Sequence, residues 1–402
     1  MKDVKNAAAS PEAVKAGRGV DDMWAPVALD DGEREKIWAK PRSFAQDVWF
    51  RFRHKFTSLL GLALVAFMLA FALIGPFFTP YDYSRQDRSL ANIPPVMSVV
   101  EGREGNYLYV TQALKVIEVS SDGHLLSALK KGKDDSKLKR TQYSYADGTA
   151  VYLDYTALPA TILDEDEQRL PVSGTLWNKS YLLGTDHLGR DVLTRLMYGA
   201  RISLMVAFIA AAVNMVIGIL YGGIAGYFAG RADSIMMRVV DVISTIPLTL
   251  YVILIKVCLD NGLVSIIIAL SSVYWVDMAR VVRGQVLTLR EQEFVVAART
   301  IGSSTKSILL NHLIPNTMGP ILVTVTMLIP SAIFMEAFMS FIGIGIAPPM
   351  ASLGTMCNDA TEALRSNPYQ LFLPALAICL IMFGFNFLGD GLRDALDPKL
   401  KK

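Results

Sequence analysis

Residues Glu291–Asn316 read EQEFVVAARTIGSSTKSILLNHLIPN. The stretch is polar and helix-like, yet it lies between two strongly apolar runs. From Arg290 to Ile301 the residues are good helix formers, and Phe294, Ala297, Ala298 and Ile301 recur at helical spacing as one apolar stripe. Gly302 is placed to end that helix in a left-handed conformation. Ser303 or Ser304 can cap a second short helix running toward His312, and Pro315 marks its end. The expectation is helix, sharp turn, short helix. A DNA-reading helix-turn-helix has a similar outline, but this one is tied to apolar runs at both ends and lacks a dense basic face. A short rigid helix with an apolar edge suits docking in a groove of another protein.

The runs on either side belong to a membrane chain. Of 402 residues, 52% are hydrophobic and only 19% charged, too few charges for a soluble domain of this size. A net charge of +2 gives no reason to expect nucleic acid. The three cysteines, Cys258, Cys357 and Cys379, lie in or near apolar segments and read as small packing residues, not a disulfide framework.

Six segments are long enough to cross a bilayer, which takes roughly 20 residues each: Ser58–Phe78, Ser203–Ala225, Val239–Leu259, Leu263–Ala279, Gly319–Ile342 and Leu371–Leu388. The first begins after a long charged leader and so reads as a signal anchor, not a cleaved signal peptide. Arg and Lys concentrate before the first span, between the second and third, between the fourth and fifth, and after the sixth. By the positive-inside rule both termini are cytoplasmic, and so is the stretch Glu291–Asn316.

The insert, 79–180, then lies outside the cell. Within it Tyr107–Val119 alternates apolar and polar residues, Asp122-Gly123 and Asp147-Gly148 signal turns, and Thr149–Leu158 is strand-like. Arg85–Thr175 reads as a small β-containing domain, with a partly ordered loop as the other reading. The leader, 1–57, is polar and flexible up to residues 43–56, SFAQDVWFRFRHKF, which fit a helix in the inner membrane interface. The membrane-spanning core occupies 181–392, with its cytoplasmic loop at 280–318 and a short tail at 393–402.

No catalytic apparatus is visible: no P-loop, no HExxH, no cysteine pair at metal-ligand spacing, and four scattered histidines. The run GTDHLGRD (Gly184–Asp191) reads as a polar collar where the insert re-enters the membrane. Charged and amide groups inside spans are costly and need a reason. Lys256 is close enough to a span end to snorkel. Asn214 and Asn386 can bond neighbouring helices. Glu336, deep in the fifth span, either lines a translocation path or is paired with a neighbouring element. Gly218, Gly222 and Gly226 share one helical face and favour close packing.

The opening stretch resembles the cytoplasmic loop of ABC importer permeases, which carry Glu-Ala-Ala, three residues, Gly, nine residues, then Ile-x-Leu-Pro. Ala297, Ala298, Gly302 and Pro315 match at that spacing, while Val296, His312 and Ile314 replace the family's Glu, Ile and Leu. LGTDHLGRDVLTRLMYGARISL (Leu183–Leu204), RVVDVISTIPLTL (Arg238–Leu250) and EAFMSFIGIGIAPPMASLGTM (Glu336–Met356) resemble the C-type subunit of the dipeptide and oligopeptide branch. The similarity leaves out the leader and Arg85–Thr175.

The resemblance implies an all-α membrane protein, six transmembrane helices of the type I ABC importer permease kind, with an extracytoplasmic β-containing insert after the first helix. It further implies a non-catalytic subunit in a prokaryotic cell membrane. Its partners would be a second homologous permease, two cytoplasmic ATP-binding subunits, an extracytoplasmic substrate-binding protein and membrane lipid. ATP and Mg would be used by those partners, with no cofactor on this chain. The ATPase-coupling loop would use Glu293, Ala297, Ala298, Gly302, Ser303, His312 and Pro315, and Glu336, Asn214 and Asn386 are candidates for the path. The substrate would be a peptide, with nickel complexes, glutathione or other small solutes as the alternative. A secondary transporter or a membrane receptor are the readings from other classes.

Overall fold

The computed structural model describes residues 43–157, 159–259, 262–347 and 349–396. The flexible leader and the end of the tail expected from sequence lie outside these residues. The chain divides into two compact units, Met1–Asp47 and Val48–Lys402, and the packing below is within the second.

Helix α1 (Phe44–His54) carries Arg51, Arg53 and His54 in its last turn, where positive charge suits the helix dipole. Helix α2 (Phe56–Leu73) follows at once. The first span was expected to reach Phe78. Instead the α-helix stops at Leu73, and Gly75–Phe78 form a tighter 3-10 turn with proline in its first positions, because Pro76 has no N–H to continue the α ladder.

Helix α3 (Val192–Phe228) starts well before the expected Ser203, since Asp191 caps it by accepting from the Thr194 N–H at 2.8 Å. Its 37 residues span roughly 55 Å, so its ends project past a hydrocarbon core of about 30 Å.

The expected third span, Val239–Leu259, is not one straight helix. It is α4 (Gly230–Thr245) and α5 (Leu248–Cys258), bent by 86°. Pro247 sits at the break and disfavours a helical conformation at Ile246 before it. Helices α6 (Leu263–Ser271) and α7 (Trp275–Leu289) together make the span expected at Leu263–Ala279, ten residues longer. Thus 280–289, assigned from sequence to the cytoplasmic loop, continues a span helix.

Beyond α8 (Glu293–Thr300) come the short α9 (Thr305–Ser307), wide π-type turns over Ile308–Leu313, and α10 (Ile314–Phe341). Pro315 was expected to end the second short helix. Thr305–Phe341 instead runs as one 37-residue span. Pro315 occupies the first turn of α10, and the preceding π-type widening marks where the regular ladder is interrupted. A short helix, α11 (Leu353–Asp359), precedes α12 (Tyr369–Leu396), which extends past the expected Leu388 into the tail. Among the described residues five helices are long and apolar enough to cross a membrane, or six if the bent pair counts as one.

Close packing of α3 on α7 follows from the glycine stripe. A Cβ at Gly222 would lie 2.3 Å from the Ala279 carbonyl oxygen, and one at Gly218 would lie 2.4 Å from the Met278 side chain. Only glycine permits that approach.

After α2 comes a β region of two antiparallel sheets. One has five strands: β1 (Val96–Glu101), β2 (Tyr107–Val110), β3 (Val116–Val119), β4 (Leu125–Ala128) and β9 (Val172–Trp177), in the order β4-β3-β2-β1-β9. The other orders β5 (Lys130–Asp135), β6 (Arg140–Ser144), β7 (Ala150–Asp154) and β8 (Thr161–Leu163) in sequence. Leu108 and Val116 of the first sheet share a core with Tyr143, Leu153 and Ile162 of the second. Alternate residues Tyr109 and Ile117 face another cluster with Ile93 and Met97. Both faces of the middle strands β2 and β3 are therefore covered. Strand β5 carries Lys130, Lys131 and Lys133 and all its residues are exposed, a charged edge that resists pairing with other chains.

The insert is fastened to the core. Thr185 exchanges bonds with Ile93, donating its N–H to the Ile93 carbonyl at 2.9 Å and accepting the Ile93 N–H on its hydroxyl at 2.8 Å. Gln370 of α12 donates to Asn92 at 3.0 Å and to the Thr185 carbonyl at 2.9 Å.

Candidate functional site

Two polar assemblies lie near opposite ends of α3. Near its C-terminus the helix α8 ends in a two-bond turn. The Ser303 N–H donates to the Ala298 carbonyl and the Gly302 N–H to the Arg299 carbonyl, both at 3.0 Å, with Gly302 at φ +82°. This is the left-handed glycine termination that fixes the exit direction of a helix. Ser304, not Ser303, then caps the next turn by accepting from the Ser307 N–H.

The apolar stripe expected on α8 is divided between two faces. Val295 and Ala298 are buried in the main core, whereas Phe294, Ala297 and Ile301 are exposed, Ile301 by 82%. Periodicity places residues on a face but does not say which face meets the core. Glu293 is exposed in the first turn of α8, Ser303 and His312 are half-buried, and Pro315 is exposed.

Three contacts that the sequence reading missed fix this end. The Arg299 guanidinium lies 5.2 Å from the Tyr227 ring centre. Arg290 donates to the Tyr227 carbonyl at 3.2 Å, and Arg283 of α7 makes a two-pronged pair with Asp233 of α4 at 3.0 and 2.5 Å. The only signal of these contacts in the sequence is the density of arginines.

At the N-terminal end of α3 the run GTDHLGRD forms a tight turn. Gly189 has φ +74°, and a Cβ there would overlap the Asp87 carbonyl. Asp186 accepts the backbone N–H groups of Leu188 and Arg190 at 2.9 and 3.0 Å and the Arg190 Nε at 2.7 Å. Arg195 also pairs with Asp186. Both guanidinium groups reach Asp359 at the end of α11, each at 3.1 Å. Asp186, Arg190 and Arg195 are at most 6% exposed. Burial pushes the Asp186 carboxyl up, but Arg195, Arg190 and the hydrogen bonds outweigh it and hold the group below its ordinary value. Among the described residues the neighbouring Asp191 has no cation paired with it, and burial raises it despite its bonds to Thr194.

Between these ends lies Glu336, fully buried. It accepts from Ser203 of α3 at 2.7 Å and from Ser340 at 2.8 Å. Ser352 donates to Ser340 at 3.3 Å. Asn214 is 1% exposed and its Oδ1 has no partner among the described residues, whereas Asn386 is exposed on α12. The three residues are thus in different surroundings. Lys256, expected to snorkel, is fully buried instead. Its Nζ donates to the Gly262 carbonyl at 2.9 Å and to Ser265 at 2.8 Å, holding the start of α6 to the end of α5.

Comparison with known proteins agrees with this arrangement. Residues 216–402 match the family described as binding-protein-dependent transport system inner membrane component. Residues 43–95 match the N-terminal TM domain of oligopeptide transport permease C. The oligopeptide transport system permease protein OppC of Bacillus subtilis (strain 168) is 37% identical over 95% of this chain and 98% of its own length. The dipeptide transport system permease protein DppC of the same organism is 38% identical over 95% of each chain. Matches this long include most of the β insert, so the similarity extends beyond the motif-bearing segments. With its membrane helices, its glycine-turned loop and relatives matched over nearly their whole length, this chain belongs to the ABC transporter permeases of the oligopeptide and dipeptide family, as a multi-pass inner-membrane component.

Proposed function

We propose that the chain forms half of the translocation path of an ATP-driven importer of oligopeptides or dipeptides. It pairs with a sister permease and draws its energy from two cytoplasmic ATPases, which use ATP and Mg; this chain supplies no catalytic group. A binding protein delivers substrate on the side of the insert, and both termini are cytoplasmic. The names of the Bacillus subtilis relatives support a peptide substrate.

The observation that carries the coupling role is the exposed edge Phe294–Ala297–Ile301 on a helix fixed at both ends. Seated in an ATPase groove, α8 would pass movement to the end of α3 through Arg299 and Tyr227. Through Gly302 the movement would also reach the continuous helix Thr305–Phe341, roughly 55 Å long, and hence Glu336. A connector must be rigid if it is to shift a population between two discrete states.

Replacing Gly302 by Val disfavours the left-handed turn and should abolish ATP-driven uptake while membrane insertion is retained. Ile301→Asp should release the ATPases from the purified complex. Wild-type uptake by Gly302→Val together with full ATPase retention by Ile301→Asp would refute the coupling role.

A further inference from the structure

The collar at the N-terminal end of α3 contains an imperfectly filled anion site. Arg190 and Arg195 both direct an Nη2 to the same oxygen of Asp359, Oδ2, each at 3.1 Å. The other oxygen of Asp359 accepts no hydrogen bond among the described residues, while the Nε of Arg195 is buried without a partner. The Nε–Nη2 edge of arginine matches both oxygens of a carboxylate, and Asp359 fills only half of that edge on Arg195.

The members of the collar are unequal. Arg190 and Arg195 are 5% and 3% exposed, whereas the Asp359 side chain is 32% exposed. Asp186 is anchored by two backbone N–H groups in its own turn. Asp359 is held from the end of a seven-residue helix, α11. If α11 moves away, two buried arginines share a single carboxylate and leave one positive charge uncompensated, which is costly unless an anion replaces the one lost.

A cavity of about 190 Å³ adjoins the group, lined by Arg190, Arg195, Asp359, Asn358, Thr355 and Ser340. It is smaller than the roughly 300–1,000 Å³ of a whole ligand pocket, so it suits one end of a chain and not an entire peptide. Gly343, at φ +84°, and Gly345 line its other side.

We propose that Arg190 and Arg195 form a binding site for the free carboxylate of a peptide, and that Asp359 occupies it in this conformation as an internal substitute. An arriving carboxylate displaces Asp359, takes both donors on the Nε edge of Arg195 and frees α11 to move. Recognition of the substrate end and release of the outer segment are then one exchange of anions. The inference rests on the reading that this chain imports peptides.

The test uses the complete transporter in vesicles, with trialanine and its C-terminal amide each supplied at a concentration that saturates the binding protein. Wild type should import the acid roughly ten- to a hundredfold faster than the amide, the worth of a charge-assisted pair. Arg195→Gln should bring the ratio close to one. Asp359→Asn, which removes the competitor, should lower the KM for the acid and keep the preference. A wild-type ratio of one, or an unaltered ratio in Arg195→Gln, overturns the site. Should Arg195→Gln fail to assemble, Asp359→Asn decides alone, and an unchanged acid KM overturns the proposal. Absence of wild-type uptake of both probes overturns the peptide reading and the site with it, whereas normal uptake without discrimination overturns only the site.

Discussion

Ser203 on α3 donates its hydroxyl to Glu336 on α10 at 2.7 Å, across the middle of the bundle. The same Ser203 oxygen accepts the Leu353 N–H at 3.3 Å, at the start of α11. One hydroxyl therefore ties three elements, and Ser340, bonded to the other carboxylate oxygen, ties the network back along α10. The Ser203 bond pairs Glu336 with a neighbouring helix, while Ser340 holds it from one turn further along its own helix.

Removing Ser203 should weaken this cross-tie. Ser203→Ala leaves the Leu353 N–H and a carboxylate oxygen without partners, a cost of about 1–2 kcal/mol. Glu336→Ala should cost more, because it strands two serine hydroxyls and opens a cavity. Thermal unfolding of the purified complex in detergent checks both. A midpoint unmoved by Ser203→Ala would show that the network is redundant.

Helix contact between α3 and α7 gives a sharper contrast. Gly222→Val would drive side-chain carbon into the Ala279 carbonyl, 2.3 Å from the first added atom, and backbone cannot yield as a side chain can. The variant should fail to accumulate as folded protein. Gly223→Ala meets only the flexible end of Leu309, at 3.1 Å, and should be tolerated within about 1 kcal/mol. Comparing the two in membrane fractions separates helix packing from a general intolerance of change in α3.

Residues that act locally were the legible ones. Gly302 could be placed in its turn because a left-handed helix end needs glycine and leaves a spacing in the chain. Gly218, Gly222 and Gly226 could be read as a packing face because they recur every four residues and lack a Cβ. Pro247 was visible too, but the apolar residues on both sides concealed the bend that it sets. The collar was legible only in half. Asp186, Arg190 and Arg195 are neighbours in sequence, whereas Asp359 joins them from 164 residues beyond Arg195, a pairing fixed by the fold. The burial of Lys256 and the outward edge of α8 likewise depend on which face another element covers.

The pair Asp233–Arg283 should show measurable coupling. Asp233 is 7% exposed and Arg283 is more open, so breaking the pair should cost about 1–3 kcal/mol, less than for a fully buried one. Asp233→Asn and Arg283→Gln should each lower the unfolding midpoint and the rate of ATP-driven uptake, and the double variant should lose less than the sum. Strict additivity would mean that α4 is held against α7 by other contacts.

The two aspartates at the root of α3 should respond to neutralisation with opposite signs. The Asp186 carboxyl is held below its ordinary value, about 3.9, once its arginines and hydrogen bonds have outweighed burial. Its stabilisation is therefore present above that ordinary value and is lost as pH falls through the depressed one. Asp186→Asn at pH 7 leaves Arg190 and Arg195 with Asp359 alone and should cost roughly 3–5 kcal/mol. Asp191 is raised by burial, so its charged form is a penalty at pH 7 that is relieved as pH falls through the raised value. An asparagine there can still accept from the Thr194 N–H, now held at 2.8 Å, and it caps a helix about as well as aspartate. Asp191→Asn should thus raise the unfolding midpoint at pH 7, and its advantage over wild type should shrink on acidification. Unfolding curves of the two variants between pH 4 and 7 give the answer. A drop in stability for Asp191→Asn at pH 7 would mean that the helix dipole, worth roughly 0.3–1 kcal/mol, outweighs burial at this cap.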